Sequence, residues 1–301
     1  MCNNAHMVNW QDLLCFTVLA RTGSLSAAAR ELQVDHATVG RRIASLERSL
    51  DIRLVDRLPR NSRLTADGRI VAELAAEIEA TVDAINRHAR GASASPTATV
   101  RISASPAVAA RLIAPRVASF HGAHPDITLI LSGAAGNAAL DRGEADIAVR
   151  MTRPSEGGLV VRRIGTMRFA LYAAPALAVH PEREWAFIGY DASLEHVAQQ
   201  VWLRSLLAGR PIVFQASDLF GQQEAARAGL GVVVLPLFMG DADPALIRLP
   251  APSPPPTRDL WLVTYPDLRR SPAIRAVMTF LADVVGQGCP IRGESPTSHS
   301  R

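Results

Sequence analysis

The chain has 301 residues, 48% hydrophobic and 20% charged, a globular composition with room for two or three domains and more than one buried core. No apolar run approaches the roughly 20 residues that span a bilayer, and no basic stretch leads into an apolar one, so neither a membrane partner nor a signal peptide is expected and a cytoplasmic protein is. Of the net charge of +4, the whole surplus lies between His36 and Arg63, where seven arginines face only Glu47, Asp51 and Asp56. Such a concentrated patch is the footprint of a phosphate-binding surface; a solvated helix face is the competing reading. Cys2, Cys15 and Cys289 form no C-x-x-C pair and have no histidine at metal-ligand spacing, so no disulfide framework, metal or cofactor is expected. The segment before Met7 carries no structural signal, which leaves Met1 and Met7 as alternative starts.

Asn9 suits an N-cap, with Asp12 in the first turn of a predicted helix from Trp10 to Arg21 that breaks at Thr22-Gly23-Ser24. Ser24 can cap a second helix, Leu25 to Leu32, and Asp35 a third, His36 to about Leu50. The connection between them, Gln33-Val34-Asp35, is short, so the helices must cross closely. Ala28 and Ala29 permit this, and Val34, Val39, Ile43 and Leu46 are expected to fill the core beneath. Ile52–Val55 and Ser62–Leu64 read as the two strands of a small wing. Thr65 opens a long helix from Ala66 to about Arg90. In it Val71, Leu74, Ala75, Ile78, Val82 and Ile85 recur at threes and fours, which predicts pairing with a second copy or packing on its own domain. Gly91 to Pro96 is small and polar, a linker by composition.

Beyond the linker, strands and helices alternate, the pattern of open α/β sheets. Thr99–Ser103 is a predicted strand. Ser105-Pro106 is a capping pair that opens a helix to about His121. Ile127–Leu131, Ala145–Arg150, Val160–Ile164 and Phe169–Ala173 are further strands, with a short helix at Asn137–Arg142 ended by Gly143. A second set follows: a helix near Leu194–Leu207, a strand at Ile212–Phe214, a Ser217-capped helix to Arg227, and a strand at Val232–Leu235. A strand at Leu260–Thr264 and a helix at Pro272–Val285 complete it. Five of the 20 prolines lie between Pro250 and Pro256, a stiff connector. Two α/β units side by side leave a cleft for a small ligand.

Three runs carry a resemblance: Asp12-Leu13-Leu14-x-Phe16, Thr22-Gly23-Ser24-Leu25-Ser26-x-Ala28-Ala29-x-x-Leu32, and Val39-x-Arg41-Arg42-Ile43-x-x-Leu46-Glu47. With Leu64-Thr65-x-x-Gly68 after the wing, the chain resembles the LysR-type transcriptional regulators. Val100–Ser105, His124-Pro125-Asp126-Ile127, Gly143-Glu144-Ala145-Asp146 through Arg150, and Ala228-Gly229-Leu230-Gly231 with Leu235-Pro236 extend the likeness, from about Asn9 to Val285. The resemblance implies an α/β protein with an N-terminal all-α winged helix-turn-helix, a long linker helix, and a C-terminal two-subdomain effector domain of the periplasmic-binding-protein kind. The divisions expected are 1–65, 66–96 and 97–301, the last split into about 97–165 with 266–301 and about 166–265. It also implies operator DNA and a small-molecule effector as partners, a homodimer through the long helix assembled into a homotetramer, and contact with RNA polymerase. The sequence departs from the family where many members carry Gln (His36) and Ser (Gly40). Asp51 and Val55 replace a usual Gly and Phe.

A recognition helix enters the major groove by its N-terminal part. That edge offers His36, Ala37, Thr38, Gly40 and Arg41 to base edges, with Arg41 able to grip a guanine in bidentate fashion. Arg42, Arg48, Arg57, Arg60 and Arg63 are expected on phosphates, although Arg42 could instead pair with Glu47. In the second half, Ser103 and Ser105 near a helix start, Arg150 as a counter-charge, and Ser217 are the candidate effector contacts. An enzyme is disfavoured: the histidines are scattered and no G-x-S-x-G elbow, Walker loop or dinucleotide fingerprint occurs. A solute-binding protein would need a signal peptide and no helix-turn-helix. A redox sensor would want two cysteines in the second half.

Overall fold

The computed structural model describes residues 8–58, 61–92, 98–133, 145–154 and 158–291. The chain divides into two compact units, Met1–Asn86 and Arg87–Arg301.

The first unit contains α1 (Trp10–Thr22), α2 (Leu25–Leu32), α3 (His36–Leu50), the hairpin β1 (Val55–Leu58) with β2 (Asn61–Leu64), and the start of α4 (Ala66–Ala92). Each of the first three helices begins on its predicted cap: Asn9 accepts from Gln11 and Asp12 N–H, Ser24 from Ala27, and Asp35 from Thr38. Phe16, Leu19, Ala28, Val39, Ile43 and Leu46 form the core that crosses the three helices. Val34, expected in that core, is 40% exposed instead, because Gln33 before it takes a left-handed conformation that turns the connection outward. The wing starts later than its β-branched residues predict. Ile52 to Leu54 form no strand; Leu54 is a fully buried plug, and the Leu54 and Val55 N–H groups donate to the Glu47 carboxylate at 2.8 and 3.2 Å. Asp51, at the family's glycine position, ends α3 with φ +55°, a left-handed cap that aspartate tolerates better than most residues.

Thr65 secures the entry to α4. Its hydroxyl donates to the Arg53 carbonyl at 2.7 Å and accepts from the Gly68 N–H at 2.9 Å. Gly68 is required for space: a Cβ there would stand 2.1 Å from the Leu54 carbonyl oxygen. The single apolar stripe expected on α4 is two faces. Val71, Ala72 and Ala75 pack on the core of the first unit, whereas Ile70, Leu74, Ile78 and Ile85 are exposed.

In the second unit one sheet has the strand order β4-β3-β5-β11-β6-β9-β7-β8, with β10 added on β6. Its strands are β3 (Ala98–Ala104), β4 (Ile127–Gly133), β5 (Ile147–Arg150), β6 (Val160–Ala173), β7 (Phe187–Tyr190), β8 (Ile212–Ala216), β9 (Val232–Pro236), β10 (Ile247–Leu249) and β11 (Thr257–Thr264). Two predicted strands are one. β6 runs unbroken through Gly165, pairing with β11 up to Arg168 and with β9 from Phe169, so it carries the chain from one half of the sheet to the other. Gly165 grants close approach: a Cβ would lie 2.7 Å from the Cys289 carbonyl oxygen, which accepts the Thr166 N–H at 2.8 Å.

The helix expected from Pro106 to His121 is broken into an α turn (Pro106–Val108), a π turn (Ala109–Ile113), a 3-10 turn (Ala114–Arg116) and an α-helix (Val117–Ala123). Pro115 has no N–H to donate and its ring crowds the preceding turn, which accounts for the widening and tightening on either side. The helix at Leu219–Arg227 is capped by Asp218, which accepts from Phe220 and Gly221 N–H, and not by Ser217. The predicted helix Asn137–Arg142 and its terminator Gly143 lie outside the described residues.

Candidate functional site

The first candidate surface is the N-terminal edge of α3. His36, Ala37 and Arg41 are exposed there, and Thr38 and Gly40 are half-buried. A chain of hydrogen bonds organises them. The Thr38 hydroxyl donates to one Asp35 carboxylate oxygen at 2.8 Å and accepts from the Arg41 guanidinium at 2.8 Å, while the Thr38 N–H donates to the other oxygen at 2.7 Å. The Thr38 hydrogen bonds hold the Asp35 carboxyl below its ordinary range, so the edge keeps one acid beside its arginine. No atom lies within 4 Å of where a Cβ on Gly40 would be, so this position leaves the helix surface open.

Arg42 points elsewhere. It donates to the buried Asp12 carboxylate of α1 at 3.2 Å, not to Glu47, which is occupied by the wing backbone. Arg48 is exposed and returns to the Ala44 carbonyl at 3.1 Å. On the hairpin, Arg63 is exposed and faces Asp56 across the strands, and Arg57 sits opposite Ser62. Arg60 lies outside the described residues.

The second site is a cavity of about 370 Å³ in the second unit, walled by residues from both halves of its sheet. Ser105, Arg150 and Ser217, three of the four candidate effector contacts, line it. Ser103 does not: it is fully buried behind the wall, and both its hydroxyl and its carbonyl accept from Arg150 Nη1, at 3.1 and 3.4 Å. Its place is to hold the arginine that faces the cavity. Ser105 stands at the start of the broken helix with no side-chain capping bond, which leaves its hydroxyl on the wall.

Six polar wall residues were not anticipated: Thr152, Tyr190, His196, Gln199, Asp218 and Arg258. Burial raises the Tyr190 phenol above its ordinary value, eased by a hydrogen bond from Gln199 and by the nearby Arg258 charge. Burial in turn lowers the Arg258 guanidinium, with Tyr190 opposing. The sequence held one signal for Arg258: it stands two residues before the fully buried Leu260 in β11, an unusual register for a charge. Gln199 falls within the predicted helix Leu194–Leu207, and Tyr190 in a stretch with no predicted element. The remaining wall is apolar, with Met151, Met167, Phe169 and Phe220 among its residues.

Together these features define a class: a helix-turn-helix surface carried in one chain with an α/β domain that encloses a ligand-sized cavity. Residues 10–69 match the family described as "Bacterial regulatory helix-turn-helix protein, lysR family", and residues 93–286 match "LysR substrate binding domain". The chain belongs to the LysR family of transcriptional regulators, which bind DNA and small-molecule effectors. The Mau operon transcriptional activator of Paracoccus denitrificans is 30% identical over 285 residues, covering 93% of this chain and 98% of that protein. The solved structure of CrgA, a LysR-type regulator from Neisseria meningitidis, superposes with a TM-score of 0.55 at 25% identity, over 93% of this chain and 100% of that one. The virulence activator AphB of Vibrio cholerae shares the fold, with a TM-score of 0.56 at 23% identity over 91% and 99% of the two chains. The family is one of regulators, not enzymes. Among the described residues no helix is long and apolar enough to cross a membrane.

Proposed function

We propose that this regulator reads its operator with the edge His36, Ala37, Thr38, Gly40 and Arg41, and that an anionic metabolite in the cavity modulates operator binding or promoter activation. The observation that carries the reading is the Asp35–Thr38–Arg41 chain, which holds an arginine extended along the exposed start of α3 before DNA arrives. Arg48, Arg57, Arg60 and Arg63 meet phosphates. Arg42, tied to Asp12, acts mainly by fixing α3 on α1. Ser105, Arg150, Ser217 and Arg258 meet the effector, and Ser103 supports Arg150.

The divisions 1–65, 66–96 and 97–301 are the working units of this reading, and the pairing of β11 with β5 favours placing Thr257–Thr264 in the first subdomain. The exposed face Ile70, Leu74, Ile78 and Ile85 of α4 supports a homodimer through that helix, assembled further into a homotetramer. A cytoplasmic location and contact with RNA polymerase complete the picture. The test is capture of genomic fragments by the purified full chain at rising salt. Enrichment of a recurring sequence, with affinity that falls steeply as salt rises, is expected. Binding without sequence preference refutes operator reading.

A further inference from the structure

Two wall residues of the cavity point to the chemistry of its occupant. Arg258 is the first. It is half-buried, its hydrogen bond to Thr152 Oγ1 is long at 3.5 Å, and among the described residues no carboxylate lies within ion-pairing distance of it. Asp218, an acid on the same wall, is committed to the backbone of its own helix. A guanidinium withdrawn from water without an acid partner is costly unless an anion arrives.

Gln199 is the second. Its side chain is only 4% exposed, it lines the same cavity, and its carbonyl oxygen Oε1 has no hydrogen-bond partner among the described residues. A buried acceptor left open calls for a donor on the ligand. Much of the rest of the wall is thioether, aromatic and aliphatic, supplied by Met151, Met167, Phe169, Val197 and Phe220. A volume of about 370 Å³, at roughly 30 Å³ per water-sized volume, holds about a dozen non-hydrogen atoms.

We infer that the effector is a small monocarboxylate with an apolar body and one hydroxyl or N–H donor. Its carboxylate is received by Arg258 and its donor by Gln199 Oε1. The inference rests on the effector reading of the cavity given above and narrows it. A second carboxylate on the ligand would meet the Asp218 charge on the same wall, which disfavours dianions.

The test is titration calorimetry on the full chain. The acids are 4-hydroxyphenylacetate, 3-hydroxybenzoate and N-acetyl-leucine, set against their neutral carboxamides, phenylacetate and phthalate. At least one acid is expected to bind, with its carboxamide weaker by about tenfold or more, the worth of one charged hydrogen bond. Arg258→Gln should abolish that preference, and Arg258→Lys should retain part of it. Gln199→Leu should erase the preference for 4-hydroxyphenylacetate over phenylacetate. Circular dichroism on each variant reports folding. Carboxamides binding as tightly as acids, phthalate binding more tightly, a preference that survives Arg258→Gln, or no acid binding at all overturns the inference. Ser217→Trp, at an exposed rim position, separates the two levels. If a neutral or dianionic compound binds and this variant weakens it, the cavity reading stands and the ligand class falls. If the bound compound ignores the variant, the cavity reading itself falls.

Discussion

Replacing a helical glycine by alanine ordinarily stabilises a protein by about 1 kcal/mol, because alanine loses less backbone freedom and covers the helix. Gly40 and Gly68 both lie within helices of the first unit, and the structure assigns them opposite signs. At Gly40 a Cβ meets nothing within 4 Å, so Gly40→Ala should gain the full propensity, about 1 kcal/mol. At Gly68 a Cβ would stand 2.1 Å from the Leu54 carbonyl oxygen and 3.2 Å from Thr65 Oγ1. The first atom is backbone, held because it accepts the Thr65 N–H at 3.0 Å. The first turn of α4 must therefore retreat by about 1 Å to restore van der Waals distance. Retreat strains two contacts: the cap from Gly68 N–H to Thr65 Oγ1, worth about 1 kcal/mol, and the packing of Val71 and Ala75 on the core. Overpacking of this kind costs about 1–3 kcal/mol. With the cap loss added to this cost and the propensity gain of about 1 kcal/mol subtracted, Gly68→Ala should still destabilise the first unit by about 1–3 kcal/mol. Urea unfolding of the full chain, followed by a probe in the first unit, measures both. If Gly68→Ala proves neutral or stabilising, the contact with Leu54 does not constrain the helix entry, and the reasoning fails.

Arg41→Ala should weaken specific DNA binding and relax a single operator position, at about 1–3 kcal/mol of lost discrimination; anisotropy on operators substituted one base pair at a time tests it, and an unchanged preference removes Arg41 from base reading. Ala208 adopts φ +46° on the surface, where a Cβ is strained. Ala208→Gly should therefore raise the thermal midpoint of the second unit, by about 0.5–1 kcal/mol of stability, and a lowered midpoint would count against that strain. Burial pushes the Cys289 thiol up from its ordinary 9.0 to about 12. The fold keeps this thiol protonated, whereas the unfolded chain releases the proton earlier. Its contribution to stability is thus complete below pH 9 and lost as pH rises towards 12. Between about pH 8 and pH 10.5 the loss should be about 2 kcal/mol greater in the wild type than in Cys289→Ala. Equal pH dependence in the two proteins would refute the shift.

Much of the first unit was legible from local chemistry. Asn9, Ser24 and Asp35 cap their helices because a short polar side chain satisfies the N–H groups that a helix start exposes. Val39, Ile43 and Leu46 are buried because their spacing puts them on one face. Ser105, Arg150 and Ser217 share a wall because strand ends and helix starts of an α/β sheet converge on its cleft, whereas Ser103, expected beside them, is buried behind it.

What tertiary structure alone decided are the pairings between segments distant in sequence. Arg42 meets Asp12 from 30 residues away, and Ser103 holds Arg150 from 47. Gly165 is a site of close approach because Cys289 arrives beside it, and β6 is one strand because β11 and β9 pair with its successive halves. Arg258 becomes a wall residue only when β11 inserts between β5 and β6. Local periodicity and capping depend on neighbours a few residues apart. Which backbone or charge comes to face a given side chain depends on the order in which strands join the sheet, and no short-range pattern carries that order.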